Sequence, residues 1–199
     1  MHSVKSLPSG YAEILKLDLQ KNKRDAIIVN VLAAVLALIC VVAMHFFVPV
    51  TQIFRSRDQN DAGAYFIKLA VLIAAYVLYI ILHELTHAAV MRFFGAKKVR
   101  FGFTGMYAYA GSEEDYFDRF SYRLVAAAPL VVLGIVFLVL QCAVPVTWFW
   151  VIGMLQIGNV SGAAGDIYVI WRVSHLRDTI LVRDTGLEMT IYDQEETVV

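Results

Sequence analysis

The feature that most constrains this chain is a run of 23 residues, Ala26 to Val48, that contains no charged side chain. A helix needs about 20 consecutive apolar residues to cross the hydrocarbon core of a bilayer. Three more apolar blocks follow, at 65–91, 124–144 and 147–171, and together they carry only three charged residues. Helices of soluble proteins keep a polar face. The four blocks therefore predict transmembrane helices rather than a soluble bundle.

The chain is expected to be a single polytopic membrane domain, residues 1–199, of the all-α class. Its predicted transmembrane helices cover about 26–48, 65–91, 124–144 and 147–171, with a cytoplasmic segment at 92–123 and a cytoplasmic tail at 172–199. Lysine plus arginine equals aspartate plus glutamate at 17 each. The composition thus provides no positive field for nucleic acid. The expected surroundings are a lipid bilayer, with no nucleic-acid partner.

The distribution of basic residues predicts the orientation of the helices. Lysines and arginines number five before the first helix, two in the following loop, six in 92–123, none in the Pro145 turn and three in the tail. Cytoplasmic loops carry the excess of these residues. We therefore expect a multi-pass protein of the cell membrane with both termini in the cytoplasm and the Arg55–Arg57 loop outside.

Short β-signals occur in the predicted cytoplasmic regions. The stretch Val99–Tyr109 alternates weakly between polar and apolar residues and contains two glycines, which predicts a short hairpin or irregular segment after the second helix. Ser112–Asp115 is typical of a helix start with acidic residues in its first turn. In the tail, we expect one short strand pair around Gly186.

The chemistry of the chain is concentrated in His83-Glu-Leu-Thr-His87. On a helix, the two imidazoles lie one turn apart on one face and can bind the same Zn²⁺. Glu84 is not a ligand, but it lies where it can accept the proton of a metal-bound water as a general base. Ionisable residues are costly inside an apolar span and usually mark function. We expect one zinc ion per chain, although two histidines and a carboxylate would also suit Fe(II).

A catalytic zinc needs a third protein ligand and an open position. The candidates are Asp166, the Glu113–Asp115 cluster, His45 and His175. Both Tyr65–His83 and Trp148–Asp166 span 18 residues along helices of the same direction. At 1.5 Å per residue, His83 and Asp166 then lie at the same depth, roughly 27 Å below the outer surface. The other candidates lie at the wrong depth, so the predicted ligands are His83, His87 and Asp166.

The residues before Asp166 are unusually small for a membrane span. Gly158 and Gly162 suit close helix packing, and the glycine-rich stretch also permits local unwinding that could turn the carboxylate towards a metal. Asn159 lies in the same stretch. It could be a catalytic donor to a substrate carbonyl or developing oxyanion, or it could bridge two helices. Both interpretations of Asn159 are open.

These motifs resemble those of site-2-protease-type intramembrane zinc metalloproteases and, more closely, the small bacterial membrane family described as putative zincin peptidases. The resemblance covers about Tyr65–Trp171. It rests on His83–His87, Phe94-Gly-Ala96, Ala127-Ala-Pro129, and Asn159 followed seven residues later by Asp166. It implies a bacterial membrane protein whose third zinc ligand is an aspartate on a later helix, a role that Asp166 matches.

Two functions from different classes follow. The first is an intramembrane zinc metalloendopeptidase that hydrolyses a membrane-protein or peptide substrate near the cytoplasmic face, by metal-activated water with Glu84 as base. The second is a non-proteolytic membrane metal-binding or interaction scaffold with the same fold. Glu84 favours hydrolysis, because a metal cage needs no general base. The substrate and a homo-oligomer are left open.

Overall fold

The computed structural model describes residues 3–18, 21–53, 62–105 and 107–195. Within them, the helices are α1 (Lys23–Phe47), α2 (Ala62–Phe93), α3 (Arg119–Ala143), α4 (Val146–Gly162) and α5 (Ala164–Ser174). The strands are β1 (Tyr11–Leu17), β2 (Arg100–Phe103), β3 (Ala108–Asp118), β4 (Leu181–Asp184) and β5 (Met189–Gln194). Two compact units emerge. The first comprises Met1–Ile28, Glu84–Ala128 and Gly165–Val199, and the second Val29–His83 and Pro129–Ala164.

The first unit is organised around a five-stranded sheet with the order β1-β5-β4-β3-β2 and antiparallel neighbours. The N-terminal arm supplies β1, the segment after α2 supplies β2 and β3, and the tail supplies β4 and β5. Gly105 and Gly186, in the β2–β3 and β4–β5 connections, have φ of +88° and +83°. Glycine adopts this left-handed conformation without steric cost. Three distant parts of the chain therefore share one sheet.

The core of the first unit joins the sheet to the ends of helices. Phe117, Ile180 and Ile191 are fully buried and pack with Met91 and Phe94 from the C-terminal end of α2. Burying a side chain of this size stabilises a fold by about 1.5–3 kcal/mol. This core holds the last turns of α2 against the sheet, and so it positions the motif that lies just before them.

The described part of the second unit is helical and has a small core formed by Tyr79, Leu133, Phe137 and Leu155. Three helices of the described chain are long and apolar enough to cross a membrane: Lys23–Phe47, Gly63–Phe93 and Arg119–Ala143. Large apolar side chains project outward from them, such as Leu38 at 64% exposure and Phe66 at 72%. A contiguous surface of this kind is unfavourable in water and favourable in lipid. The fold is consistent with membrane localisation.

The predicted fourth helix over 147–171 is two helices. α4 ends at Gly162 after 17 residues, Ala163 leaves the helical path at φ −76° and ψ 8°, and α5 starts at Ala164. α4 alone is shorter than the three helices of membrane-spanning length found among the described residues. Four continuous transmembrane helices are therefore not confirmed. Glycine is a poor helix former, and Gly162 lies at the break.

The all-α prediction is wrong, because the chain also builds the sheet. The hairpin after α2 and the strand pair around Gly186 are present, whereas β1 was not predicted. Ser112–Asp115 belongs to β3 and does not start a helix. The following helix, α3, is capped by Asp118, whose Oδ1 accepts a 2.7 Å hydrogen bond from the Ser121 N–H. The Arg55–Arg57 loop lies outside the described residues.

Candidate metal centre

Helix α2 carries the two histidines and the glutamate. It is continuous from Ala62 to Phe93, so His83 and His87 lie on one face, and Glu84 lies three residues before His87 on the same side. All three residues are partly buried. The unbroken helix fixes the positions of the three residues relative to one another.

The orientation of His87 is set by α3. Its Nδ1 lies 2.9 Å from the carbonyl oxygen of Val125. A carbonyl oxygen only accepts hydrogen bonds, so Nδ1 carries the proton and Nε2 of the neutral ring keeps its lone pair. Nε2 lies 3.5 Å from Oδ1 of Asp166. The unprotonated nitrogen of His87 therefore faces a carboxylate oxygen, which is the arrangement that a cation would bridge.

His83 is oriented by a tyrosine one turn earlier on α2. The Tyr79 hydroxyl donates a 3.3 Å hydrogen bond to the carbonyl oxygen of Gly158. Its oxygen also lies 3.5 Å from Nδ1 of His83. Hydrogen bonds of this kind orient histidine ligands and fix their tautomer in metal sites.

Asp166 reaches this place because the helix breaks just before it. It lies in the first turn of α5, three residues after the break at Ala163. One ligand atom each of His83, His87 and Asp166 lies within 4.8 Å of the other two. Their side chains are only partly buried. The structure therefore brings together the three residues that the sequence selected as ligands.

The spacing fits a tetrahedral metal. With Zn–N and Zn–O bonds of 2.0–2.2 Å, two tetrahedral ligand atoms are separated by about 3.4 Å. The observed distance between Nε2 of His87 and Oδ1 of Asp166 is 3.5 Å. His87 presents an unprotonated nitrogen, His83 contributes a second imidazole, and the third donor is an oxygen. The donor set suits Zn²⁺, and three protein ligands leave one position for water or substrate.

The other ligand candidates have partners of their own. Glu113 pairs with Arg100, and Glu114 pairs with Lys98, both at the surface of the sheet. His45 accepts a hydrogen bond from the Val50 N–H, and His175 donates to the Trp171 carbonyl. Each is accounted for by its local structure.

Asp115 is held by the N-terminal arm. Its carboxylate accepts hydrogen bonds from the Lys5 ammonium and from the Ser112 hydroxyl, the latter at 2.6 Å. Burial favours a raised pKa for Asp115, but the Lys5 and Ser112 hydrogen bonds outweigh it and lower that pKa. Asp115 is therefore an ionised group that ties the N-terminal arm to β3.

Asn159 is fully buried on α4. Its Nδ2 donates a 3.2 Å hydrogen bond to the Leu130 carbonyl of α3, and its Oδ1 has no hydrogen-bond partner among the described residues. The first contact is the helix bridge that the sequence analysis considered. A buried unpaired oxygen is unusual. The bond to Leu130 uses one of the two Nδ2 protons, so the helix bridge is present and the role of Asn159 as an oxyanion donor stays a prediction.

Two further polar side chains form a buried pair between α3 and β4 that sequence reasoning missed. The Tyr122 hydroxyl of α3 donates a 2.5 Å hydrogen bond to Asp184 of β4, whose other oxygen accepts the Gly186 N–H at 2.7 Å. Burial raises the pKa of Asp184, and these two hydrogen bonds partly oppose it. The charges of His87 and Asp166 act on Asp184 as well.

The fold and the site define a class: a chain with helices of membrane-spanning length and a His–His–Asp group suited to a metal. The family follows from comparison. Residues 76–181, just over half of the 199-residue chain, match the family model described as "putative zincin peptidase". The chain belongs to that family, which indicates a metallopeptidase and implies zinc. No curated protein and no solved structure matches the chain.

Proposed function

We propose that this protein is an intramembrane zinc metalloprotease of the site-2-protease type. One observation carries the proposal. His83, Glu84 and His87 lie on α2, a helix long and apolar enough to span a bilayer, and Asp166 of α5 converges with the two histidines. Ionisable side chains at such a depth are expensive and usually functional. Membership of the zincin family supports a hydrolytic use of the group.

In this mechanism His83, His87 and Asp166 would hold the metal. Zinc, when bound, lowers the pKa of water to about 7 and polarises the substrate carbonyl. Glu84 accepts the proton of the attacking water and returns it to the departing amine, as a general base and then acid. The Val125 carbonyl keeps the ring proton of His87 on Nδ1, so that its Nε2 remains available. The Tyr79 hydroxyl contacts Nδ1 of His83 and orients that ring.

The proposed orientation places both termini and the segment 92–123 in the cytoplasm. The positive-charge count favours it. Support also comes from the sheet, since β1, β2–β3 and β4–β5 derive from these three regions and are hydrogen-bonded together. Strands of one sheet belong on one side of a membrane. The metal centre then lies near the cytoplasmic face, towards the C-terminal end of α2.

The proposed substrate is an extended stretch of a membrane protein or peptide. A protease needs its substrate unwound, and β2 is an edge strand of the sheet that pairs with β3 on one side. Its side chains Phe101 and Phe103 are 52% and 70% exposed. An exposed edge can accept a polypeptide as an additional strand.

Glu84→Gln separates the protease from a metal-binding scaffold. The substitution preserves size and removes the proton acceptor, and loss of a general base typically costs about 10²–10⁴ in rate. Quantitative membrane proteomics of cells with Glu84→Gln should reveal uncleaved proteins that wild-type cells lack. Glu114→Gln, an exposed carboxylate on β3, is the matched control. If Glu84→Gln cells match wild type while His83→Ala cells do not, the scaffold function is correct.

A further inference from the structure

Pro129 lies inside helix α3 and is fully buried. A proline in a helix interior has no N–H, so it removes the hydrogen bond to the carbonyl four residues earlier, and its ring crowds that carbonyl. Membrane helices tolerate such positions where another group satisfies the freed carbonyl. The carbonyl freed by Pro129 is that of Val125.

The Val125 carbonyl accepts a hydrogen bond from the His87 ring instead. Its oxygen lies 2.9 Å from Nδ1 of His87, near the usual length of a strong N–H···O hydrogen bond. In a regular helix the same oxygen would accept the N–H of residue 129. The chain therefore exchanges one helical hydrogen bond in α3 for one bond that orients a proposed metal ligand.

We infer that Pro129 is a positioning residue of the metal centre, because it keeps the Val125 carbonyl available to His87. The inference rests on the proposed function, in which Nε2 of His87 binds the metal. Alanine at position 129 would restore a backbone donor aimed at the same oxygen. The His87 bond would then be shared, and its ring would lose the preference for the tautomer with the proton on Nδ1.

Pro129→Ala should increase the hydrogen-exchange protection of α3 and decrease the affinity for Zn²⁺. Alanine is the best helix former and proline the worst, so α3 should become more regular and more protected from hydrogen exchange near residue 129. Zn²⁺ binding should weaken, because loss of a hydrogen bond that orients a ligand typically costs about 10- to 100-fold in metal affinity. A loss of general packing would instead lower both quantities.

The decisive experiment compares two substitutions at position 129. The first is Pro129→Ala, and the second is the α-hydroxy acid analogue of alanine, which has the same methyl side chain but an ester oxygen in place of the N–H. Both lose the ring, and only alanine adds a donor. The full-length protein in detergent is titrated with Zn²⁺ against a chelator of known affinity, and ¹⁵N NMR of the metal-free protein reports the His87 tautomer.

We expect about tenfold weaker Zn²⁺ binding and a mixed tautomer for alanine, with both quantities near wild type for the ester. Wild-type affinity in the alanine variant overturns the inference. Equal weakening in both variants overturns it too, because the ring rather than the missing N–H would then be the cause. Pro145→Ala, at the exposed start of α4, is the control. Absence of Zn²⁺ binding by the wild type would refute the proposed function itself.

Discussion

Removal of one oxygen atom from Tyr79 should weaken the metal centre without disturbing the helices. The Tyr79 ring is 6% exposed and packs with Leu133, Phe137 and Leu155. Phenylalanine keeps that ring and its apolar contacts. The substitution Tyr79→Phe therefore isolates the hydroxyl, which donates to the Gly158 carbonyl and lies 3.5 Å from Nδ1 of His83.

The size of the effect of Tyr79→Phe follows from the lengths of the two contacts that its hydroxyl makes. At 3.3 and 3.5 Å they are long, so each belongs at the weak end of the usual net contribution of about 0.5–1.5 kcal/mol. Together they contribute about 1 kcal/mol to stability on that scale. Metal affinity should fall by at most about fivefold, the factor that 1 kcal/mol represents, since Nδ1 of His83 loses the hydroxyl that orients its ring.

The assay is a Zn²⁺ competition titration together with thermal unfolding of the same samples. Tyr76→Phe is the matched control, because it removes a hydroxyl three residues earlier on α2, next to Gly158, and leaves the bond between Tyr79 and His83 in place. Zinc affinity within twofold of wild type in Tyr79→Phe would refute the argument that this hydroxyl orients His83.

Three other outcomes are expected. Asp184→Asn should weaken Zn²⁺ binding, since it removes a buried carboxylate whose charge interacts with those of His87 and Asp166. An unchanged Zn²⁺ affinity would exclude a contribution of the tail to the metal centre. Because the folded-state pKa of Asp115 is lowered, its ion pair stabilises the fold above the unfolded-state pKa of about 3.9. That stability should vanish as the pH falls through the lower folded-state value, so thermal unfolding of wild type and Asp115→Asn should converge in acid; a constant gap would contradict this assignment. Photocrosslinkers at Phe101 and Phe103 should capture polypeptide in Glu84→Gln membranes, whereas capture of lipid alone would identify these side chains as an interfacial belt.

The three long apolar helices and the convergence at Asp166 could be predicted, because both depend on local pattern. Helix length follows from uncharged runs, and depth follows from a fixed rise per residue. The glycine-rich stretch before Asp166 also suggested unwinding. The glycines alone did not decide whether the predicted helix over 147–171 would break, since glycines also occur where two helices pack closely. Gly158 does so here, because a Cβ there would lie 2.0 Å from the Tyr76 hydroxyl oxygen.

The sheet could not be predicted as a whole. β1 pairs with β5, with Tyr11 opposite Gln194 at the two ends of the chain. Strand preferences depend on such neighbours far more than helix preferences do. For the same reason the Asp184–Tyr122 pair was missed, because nothing in the local sequence of the tail indicates that β4 would deliver a carboxylate to α3. Pro129 is a more informative local signal. A proline inside an apolar helix indicates that the carbonyl four residues earlier, here that of Val125, can accept a hydrogen bond from another group.

The most direct test of the account is the metal content of the purified protein. Wild type, His83→Ala and Asp166→Ala are isolated in detergent, and the zinc bound per chain is measured by mass spectrometry after dialysis against a weak chelator. Asp115→Ala serves as the control for loss of a buried carboxylate outside the site. The account predicts one zinc per chain in wild type and the control, and almost none in the other two. A full equivalent of tightly bound zinc in Asp166→Ala would contradict it.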